Sequence, residues 1–202
     1  MNIPQDERVL IGRRTIERRI KELALQISQD YKRKEITLVG ILKGSILFFA
    51  ELAKEIEVIG LVKNSYWDFI RVSTYGNDHV TSGNVEIKLD LQQPIRGKHV
   101  LVIEDVVDTS LTLTVIIQQI SAKMPKSLKI CTLLKKIPSE ENLKILKRVD
   151  QETLQRRKKL KVDYVGFENI RGFTVGYGLD DAGKRRGQPC ITVKKRQKIK
   201  KP

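Results

Sequence analysis

Apolar and polar positions along this chain follow two alternating rhythms. From Arg14 to Asp30, Ile16, Ile20, Leu23, Ala24 and Ile27 fall on one face at helical spacing. Ile36 to Ile41, ITLVGI, is a short continuous apolar run of the kind that forms a strand buried on both faces. After LKGS, the stretch SILFFAELAKEI sets Phe48, Leu52 and Ile56 on one helical face, with Glu51 and Glu55 outward. DFIRVSTY and NVEIKLD predict strands flanking the polar stretch STYGNDHVTSG. HVLVIE then predicts a strand, LTLTVIIQQISAKM a helix and LKICTLL another strand.

A polar, charged segment from Pro138 to Lys161 breaks this rhythm. Within it, Leu143, Ile145, Leu146, Val149 and Leu154 recur at mixed helical spacing, which predicts one short additional helix beside the strand that ends at Lys136. DYVGFE, FTVGYG and a last short strand at ITV resume the pattern. Strand–helix alternation of this kind predicts an α/β fold, a mostly parallel sheet with helices on both faces. A chain of 202 residues, 40% of them hydrophobic, suffices for one sizeable core. One domain over residues 1–193, followed by a basic tail at 194–202, is therefore expected.

Charge changes the picture only locally. The formal net charge is +15, but Arg156 to Lys161 supplies five positive charges and the tail from Lys194 six, leaving +4 for everything else. Solvated surface stretches and nucleic-acid binding both fit such runs. They lack interleaved aromatics to stack on bases, so any nucleic-acid binding is expected to be weak and non-specific. No stretch approaches the roughly 20 apolar residues of a membrane span, and MNIPQDERVLIGRR does not read as a signal peptide. Cys131 and Cys190 stand far apart without a CxxC or a nearby histidine, as expected of a reduced cytoplasmic protein without structural zinc or disulfides.

The chemistry concentrates in VLVIEDVVDTSLTLT, from Val100. An apolar strand runs into Glu104 and Asp105, followed by Asp108, Thr109, Ser110 and the start of a helix at Leu111. Ligands of parallel α/β sheets bind beyond the carboxyl ends of the strands. There the loop and the helix start present N–H groups and a favourable dipole to an anion, and Thr109, Ser110 and Thr112 add hydroxyls. A phosphate suits that loop, and the paired acids suit sugar hydroxyls or a hard cation such as Mg²⁺. Plain helix capping by Asp108 and Thr109, beside two solvated acids, is the other reading of the same residues.

EDVVDTSLT resembles the phosphoribosyl-pyrophosphate motif of the type I phosphoribosyltransferases, and the flanking sequence is similar to their hypoxanthine-guanine members. VGILKGSILFFAEL resembles that group's first loop, and RVSTYGNDHVTSG its long flexible loop, here containing Thr74 and Tyr75. CTLLKK, DYVGFE and FTVGYGLDDAGKRRGQP resemble its purine-binding region. The likeness runs from about Val9 to Val193, in the family's order and near its spacing.

The resemblance implies a type I phosphoribosyltransferase fold with a small hood on the purine side. It also implies a purine-salvage reaction that joins hypoxanthine or guanine to phosphoribosyl pyrophosphate with Mg²⁺, carried out by a homodimer or homotetramer. By the same resemblance Asp108 is the acid–base residue beside purine N7, and Asp108, Thr109, Ser110, Leu111 and Thr112 wrap the 5′-phosphate. Glu104 and Asp105 hold ribose hydroxyls or the metal, Lys43 and Gly44 with Arg186 meet pyrophosphate, and Asp180 helps hold a second Mg²⁺. The bond between Leu42 and Lys43 can be cis in this family. Lys136 donates to the purine O6, Phe173 stacks on the base, and Thr174 contacts its edge.

The chain departs from the family pattern at Ser110, where glycine is usual, at Lys135, and at Thr174, where valine is usual. Asp181 and Arg185 stand where tyrosines are common and otherwise read as solvated loop charges. The connection 139–161 is longer than usual. These departures keep two alternatives open: a catalytically weakened regulator that binds nucleotide or RNA, and a xanthine-preferring transferase.

Overall fold

The two most apolar strands lie at the centre of a six-stranded sheet. In the computed structural model, which describes residues 3–74 and 85–194, five strands run parallel: β2 (Glu35–Leu42), β3 (Asn64–Thr74), β5 (His99–Val107), β6 (Ser127–Lys136) and β7 (Tyr164–Ile170). The antiparallel strand β4 (Val85–Leu89) forms one edge, giving the order β4-β3-β2-β5-β6-β7. Helices α1 (Arg13–Asp30) and α2 (Ile46–Ile59) cover one face, and α3 (Leu111–Ala122) covers the other. Phe48, Leu52 and Ile56 of α2 are buried as their spacing predicts, each contributing roughly 1.5–3 kcal/mol. Gly40 lets α2 lie close to the sheet, because a Cβ there would stand 2.9 Å from the Phe49 ring.

A second sheet, β1 (Glu7–Ile11), β9 (Ile191–Lys194) and β8 (Thr174–Val175), is antiparallel in the order β1-β9-β8 and forms the hood. The sequence pattern did not predict β1. Its five residues ERVLI are too few for a period to show, and their partner strand lies at the other end of the chain.

Three further expectations need correction. Strand β5 does not stop at Glu104 but continues through Val107, because β6 is long enough to pair Val106 with Leu134 and Val107 with Lys135. The segment between β6 and β7 holds two helices, α4 (Glu140–Leu146) and α5 (Gln151–Lys159), where one was expected. Asp150 separates them, its carboxylate accepting from Thr153 N at 2.8 Å to start a new helix. Lys194 belongs to β9 and not to a solvated tail; residues 195–202 lie outside the described part. Among the described residues no helix is long and apolar enough to cross a membrane.

Candidate active site

The register of the central strands assembles the site. β2 and β5 pair in parallel up to Gly40 and Ile103, so two residues further Leu42 comes level with Asp105. The Leu42–Lys43 bond is cis, and Lys43 and Gly44 follow it into the turn before α2. Gly44 has to be glycine, since a Cβ would stand 1.8 Å from Asp105 Oδ2. On its other side Gly178, at φ +97°, packs so closely that a Cβ would lie 2.0 Å from the Gly44 carbonyl. Asp105 is buried. Burial, then the Asp105 charge and a hydrogen bond shared with it, push the Glu104 carboxyl well above the usual carboxylate range. A pair under that strain suits a cation or sugar hydroxyls.

Glu104 and the residues Asp108 to Thr112 line a cavity of about 310 Å³ at the start of α3. The first-turn N–H groups of a helix have no partner within the helix, and here they open onto that cavity. Ser110 adopts the left-handed conformation, φ +65°, a shape that costs a non-glycine residue about 1–2 kcal/mol. Its carbonyl accepts from Thr114 Oγ1 at 2.7 Å. Of the capping reading only a long bond remains, with Thr109 Oγ1 accepting from Leu111 N at 3.5 Å; the N-cap residue Ser110 makes no side-chain cap, and the Asp108 carboxylate is taken up by Asn142 and Lys136.

Asp108 faces the end of β6 instead. Its Oδ2 lies 3.9 Å from Lys136 Nζ, and its Oδ1 accepts from Asn142 Nδ2 at 2.5 Å. Burial pushes the Lys136 ammonium below its ordinary range, opposed by the Asp108 and Asp105 charges. Lys135 turns outward to pair with Glu168 at 3.3 Å. The parallel partner of Lys136 is Ile170, so the turn carrying Phe173 starts beside it, and a cavity of about 610 Å³ lies between Ile137 and Gly172. The Phe173 ring is half exposed, with Lys194 Nζ 5.1 Å from its centroid. Thr174 is buried and its hydroxyl has no hydrogen-bond partner among the described residues.

The remaining expected residues lie on the loop that Gly178 holds against Gly44. Arg186 Nη1 donates to the Gly178 carbonyl at 2.7 Å, and its Nη2 pairs with Asp180 at 2.8 Å. Gly183 N donates to the other Asp180 oxygen at 2.7 Å. Asp181 and Arg185 are not solvated charges: Asp181 pairs with Lys194 at 2.8 Å, and Arg185 forms a two-pronged pair with the buried Glu7 of β1. Thr74 ends β3, and Tyr75 lies outside the described residues.

Sequence reasoning missed Asn142, Arg157, Glu7 and Gly178. The Arg157 guanidinium donates through Nε to the Thr109 carbonyl at 2.6 Å, and Arg156 reaches Gln118 of α3 at 2.7 Å. The run Arg156 to Lys161 is thus partly built into the site and is not simply a solvated basic face. No local pattern signals these contacts, because their partners lie 34 to 178 residues away in sequence.

The model of the phosphoribosyl transferase domain matches residues 11–182. The chain is 38% identical to the hypoxanthine-guanine phosphoribosyltransferase of Bacillus subtilis (strain 168) over 189 residues, covering 94% of this chain and 93% of that one. It is likewise 38% identical over 185 residues to the hypoxanthine phosphoribosyltransferase of Escherichia coli (strain K12), covering 91% and 92%. Among solved structures, the Bacillus anthracis hypoxanthine-guanine enzyme superposes with a TM-score of 0.76 at 36% identity, over 96% of this chain and 99% of that one. The Trypanosoma cruzi hypoxanthine enzyme superposes with a TM-score of 0.80 at 32% identity, over 96% and 95%. With the open cavity at the start of α3, the paired acids on β5 and this breadth of similarity, the chain belongs to the phosphoribosyltransferase family, in its hypoxanthine-guanine branch.

Proposed function

We propose that this protein joins hypoxanthine or guanine to 5-phosphoribosyl 1-pyrophosphate, releasing pyrophosphate and the purine nucleotide. The observation that carries this reading is Asp108 facing Lys136, a carboxylate and a half-buried ammonium 3.9 Å apart at the rim of the cavity before α3. As N9 bonds to C1′ and the bond to pyrophosphate breaks, the purine must give up the proton on its imidazole ring. The Asp108 carboxylate beside N7 accepts that proton. Lys136 donates to an exocyclic oxygen at C6, which hypoxanthine and guanine offer and adenine, with an amino donor there, does not. Phe173 is exposed enough to stack on the base, and the Thr174 backbone contacts its edge.

The loop from Asp108 to Thr112 holds the 5′-phosphate, while Lys43, Gly44 and Arg186 face pyrophosphate. The transition state has oxocarbenium character at C1′, so alignment and charge matching matter more than nucleophile strength. The Glu104–Asp105 pair suits a hard divalent cation or ribose hydroxyls, and Asp180 suits a second cation once Arg186 turns to pyrophosphate. Among the described residues no group of three or more His, Cys, Asp or Glu side chains forms a cage of its own. Mg²⁺ held by one or two carboxylates and substrate phosphates needs none. When bound, Mg²⁺ supplies neutralisation of the charge growing on the leaving pyrophosphate.

The two cysteines are buried and free, in keeping with a cytoplasmic location. The chain through Lys194, which closes β9, acts as one catalytic domain, assembled as a homodimer or homotetramer. A spectrophotometric assay with phosphoribosyl pyrophosphate, Mg²⁺ and each of hypoxanthine, guanine, xanthine and uracil tests the reading. Turnover of hypoxanthine or guanine is expected; turnover of xanthine alone, or of no base, contradicts it.

A further inference from the structure

The helix pair α4–α5 has no place in the reaction described above, yet it makes two hydrogen bonds to the catalytic loop. Each helix is fixed at its start. The Ser139 hydroxyl accepts from Asn142 N at 3.2 Å and Asp150 accepts from Thr153 N at 2.8 Å. Arg156 ties α5 to α3 through Gln118 at 2.7 Å while pairing with Glu152 of its own helix at 2.5 Å. From these anchored helices Asn142 reaches Asp108 Oδ1 at 2.5 Å, and Arg157 reaches the Thr109 carbonyl at 2.6 Å.

We infer that this inserted helix pair is a positioning element for phosphoribosyl transfer: Asn142 aims the Asp108 carboxylate, and Arg157 sets the peptide that presents the Ser110 N–H to the 5′-phosphate. The inference rests on the proposed function. In a trans peptide the carbonyl and the following N–H point in opposite directions. Holding the Thr109 carbonyl toward α5 therefore turns the Ser110 N–H away from α5. Ser110 sits at φ +65° without being glycine, so its own preference does not keep that peptide in place. A charged hydrogen bond to the carbonyl does.

Asn142 acts on the other wall of the site. A neutral amide donor occupies one oxygen of Asp108 and brings no competing charge, leaving Oδ2, the oxygen nearer Lys136, for the purine proton. The two residues thus serve different substrates, and their loss is separable in kinetics.

The test uses the full chain and four variants, Asn142→Ala, Asn142→Asp, Arg157→Gln and Arg157→Lys, with thermal midpoints recorded for each. Arg157→Gln is expected to raise KM for phosphoribosyl pyrophosphate about tenfold with KM for hypoxanthine nearly unchanged, and Arg157→Lys to recover part of that loss. Asn142→Ala is expected to lower the single-turnover rate about tenfold with both KM values nearly kept. Asn142→Asp, although isosteric, should be worse than alanine, because it sets a second carboxylate against Asp108. An active parent whose variants match it, or lose midpoint and every kinetic constant together, overturns the inference alone. A parent that turns over no base overturns the functional reading and this inference with it.

Discussion

In the proposed reaction Asp108 and Lys136 would meet opposing demands, a base for the purine proton and a donor for the purine oxygen. Asp108→Asn keeps the shape and the hydrogen bond from Asn142 but removes the acceptor. Turnover should fall roughly 10²-fold or more with the fold intact; steady-state kinetics beside a circular dichroism spectrum check this, and unchanged turnover would remove Asp108 from the mechanism. Lys136→Ala should raise KM for hypoxanthine and guanine by about tenfold or more while the affinity for phosphoribosyl pyrophosphate, measured by calorimetry, stays within about twofold. Both residues were named from the sequence through the family resemblance of the motifs that hold them, EDVVDTSLT and CTLLKK. Asn142 and Arg157 were not, since helix periodicity says nothing about which side chain of a surface helix reaches a loop 34 or 48 residues upstream.

Among the elements, the central strands β2 and β5 and the helices α1 and α2 follow their hydrophobic patterns closely, the strands because both faces are buried and the helices because each buries one continuous face. The hood follows a different rule. β1 joins β9 through backbone pairing and through Glu7, which is buried and bound by Arg185 and the Thr192 hydroxyl. The Arg185 hydrogen bonds, opposed by burial and reinforced by Thr192, hold the Glu7 carboxyl below its ordinary 4.5. A carboxyl depressed in the folded state contributes stability that is present above its unfolded value, near 4.5, and lost as pH falls through the folded value.

Glu7→Gln should therefore cost about 1–3 kcal/mol at pH 7, because the partly exposed Arg185 loses a charged acceptor and keeps only neutral ones. The gap between parent and variant should close as pH drops below 4.5 toward the folded value. Thermal denaturation of both proteins across that range checks the sign; a gap that widened in acid would show that Glu7 is not held ionised. The five residues of β1 carry no readable period, and this pair spans 178 positions. The hood is therefore the part of the fold that pattern reading reaches least.

Across the whole molecule, the positive charge divides differently from its reading in the sequence. Arg156 and Arg157 are fastened to α3 and to the loop before it, and Lys194 lies between Asp181 and Phe173. Part of the charge of the two basic runs therefore stands around the candidate site, where the proposed substrate would bring two anionic groups. Such a field favours phosphoribosyl pyrophosphate over the neutral base and weakens with salt. Raising the salt concentration should increase KM for phosphoribosyl pyrophosphate severalfold while KM for hypoxanthine moves little; equal movement of both would assign the charge elsewhere.

A site of this kind reads a 6-oxopurine and transfers phosphoribose to it in the proposed reaction. Equimolar hypoxanthine, guanine and adenine offered together with Mg²⁺ and limiting phosphoribosyl pyrophosphate, with the products separated by chromatography, test it in one measurement. The account predicts IMP and GMP with matching release of pyrophosphate, and no AMP. AMP as a major product, or pyrophosphate released without any purine nucleotide, would contradict it.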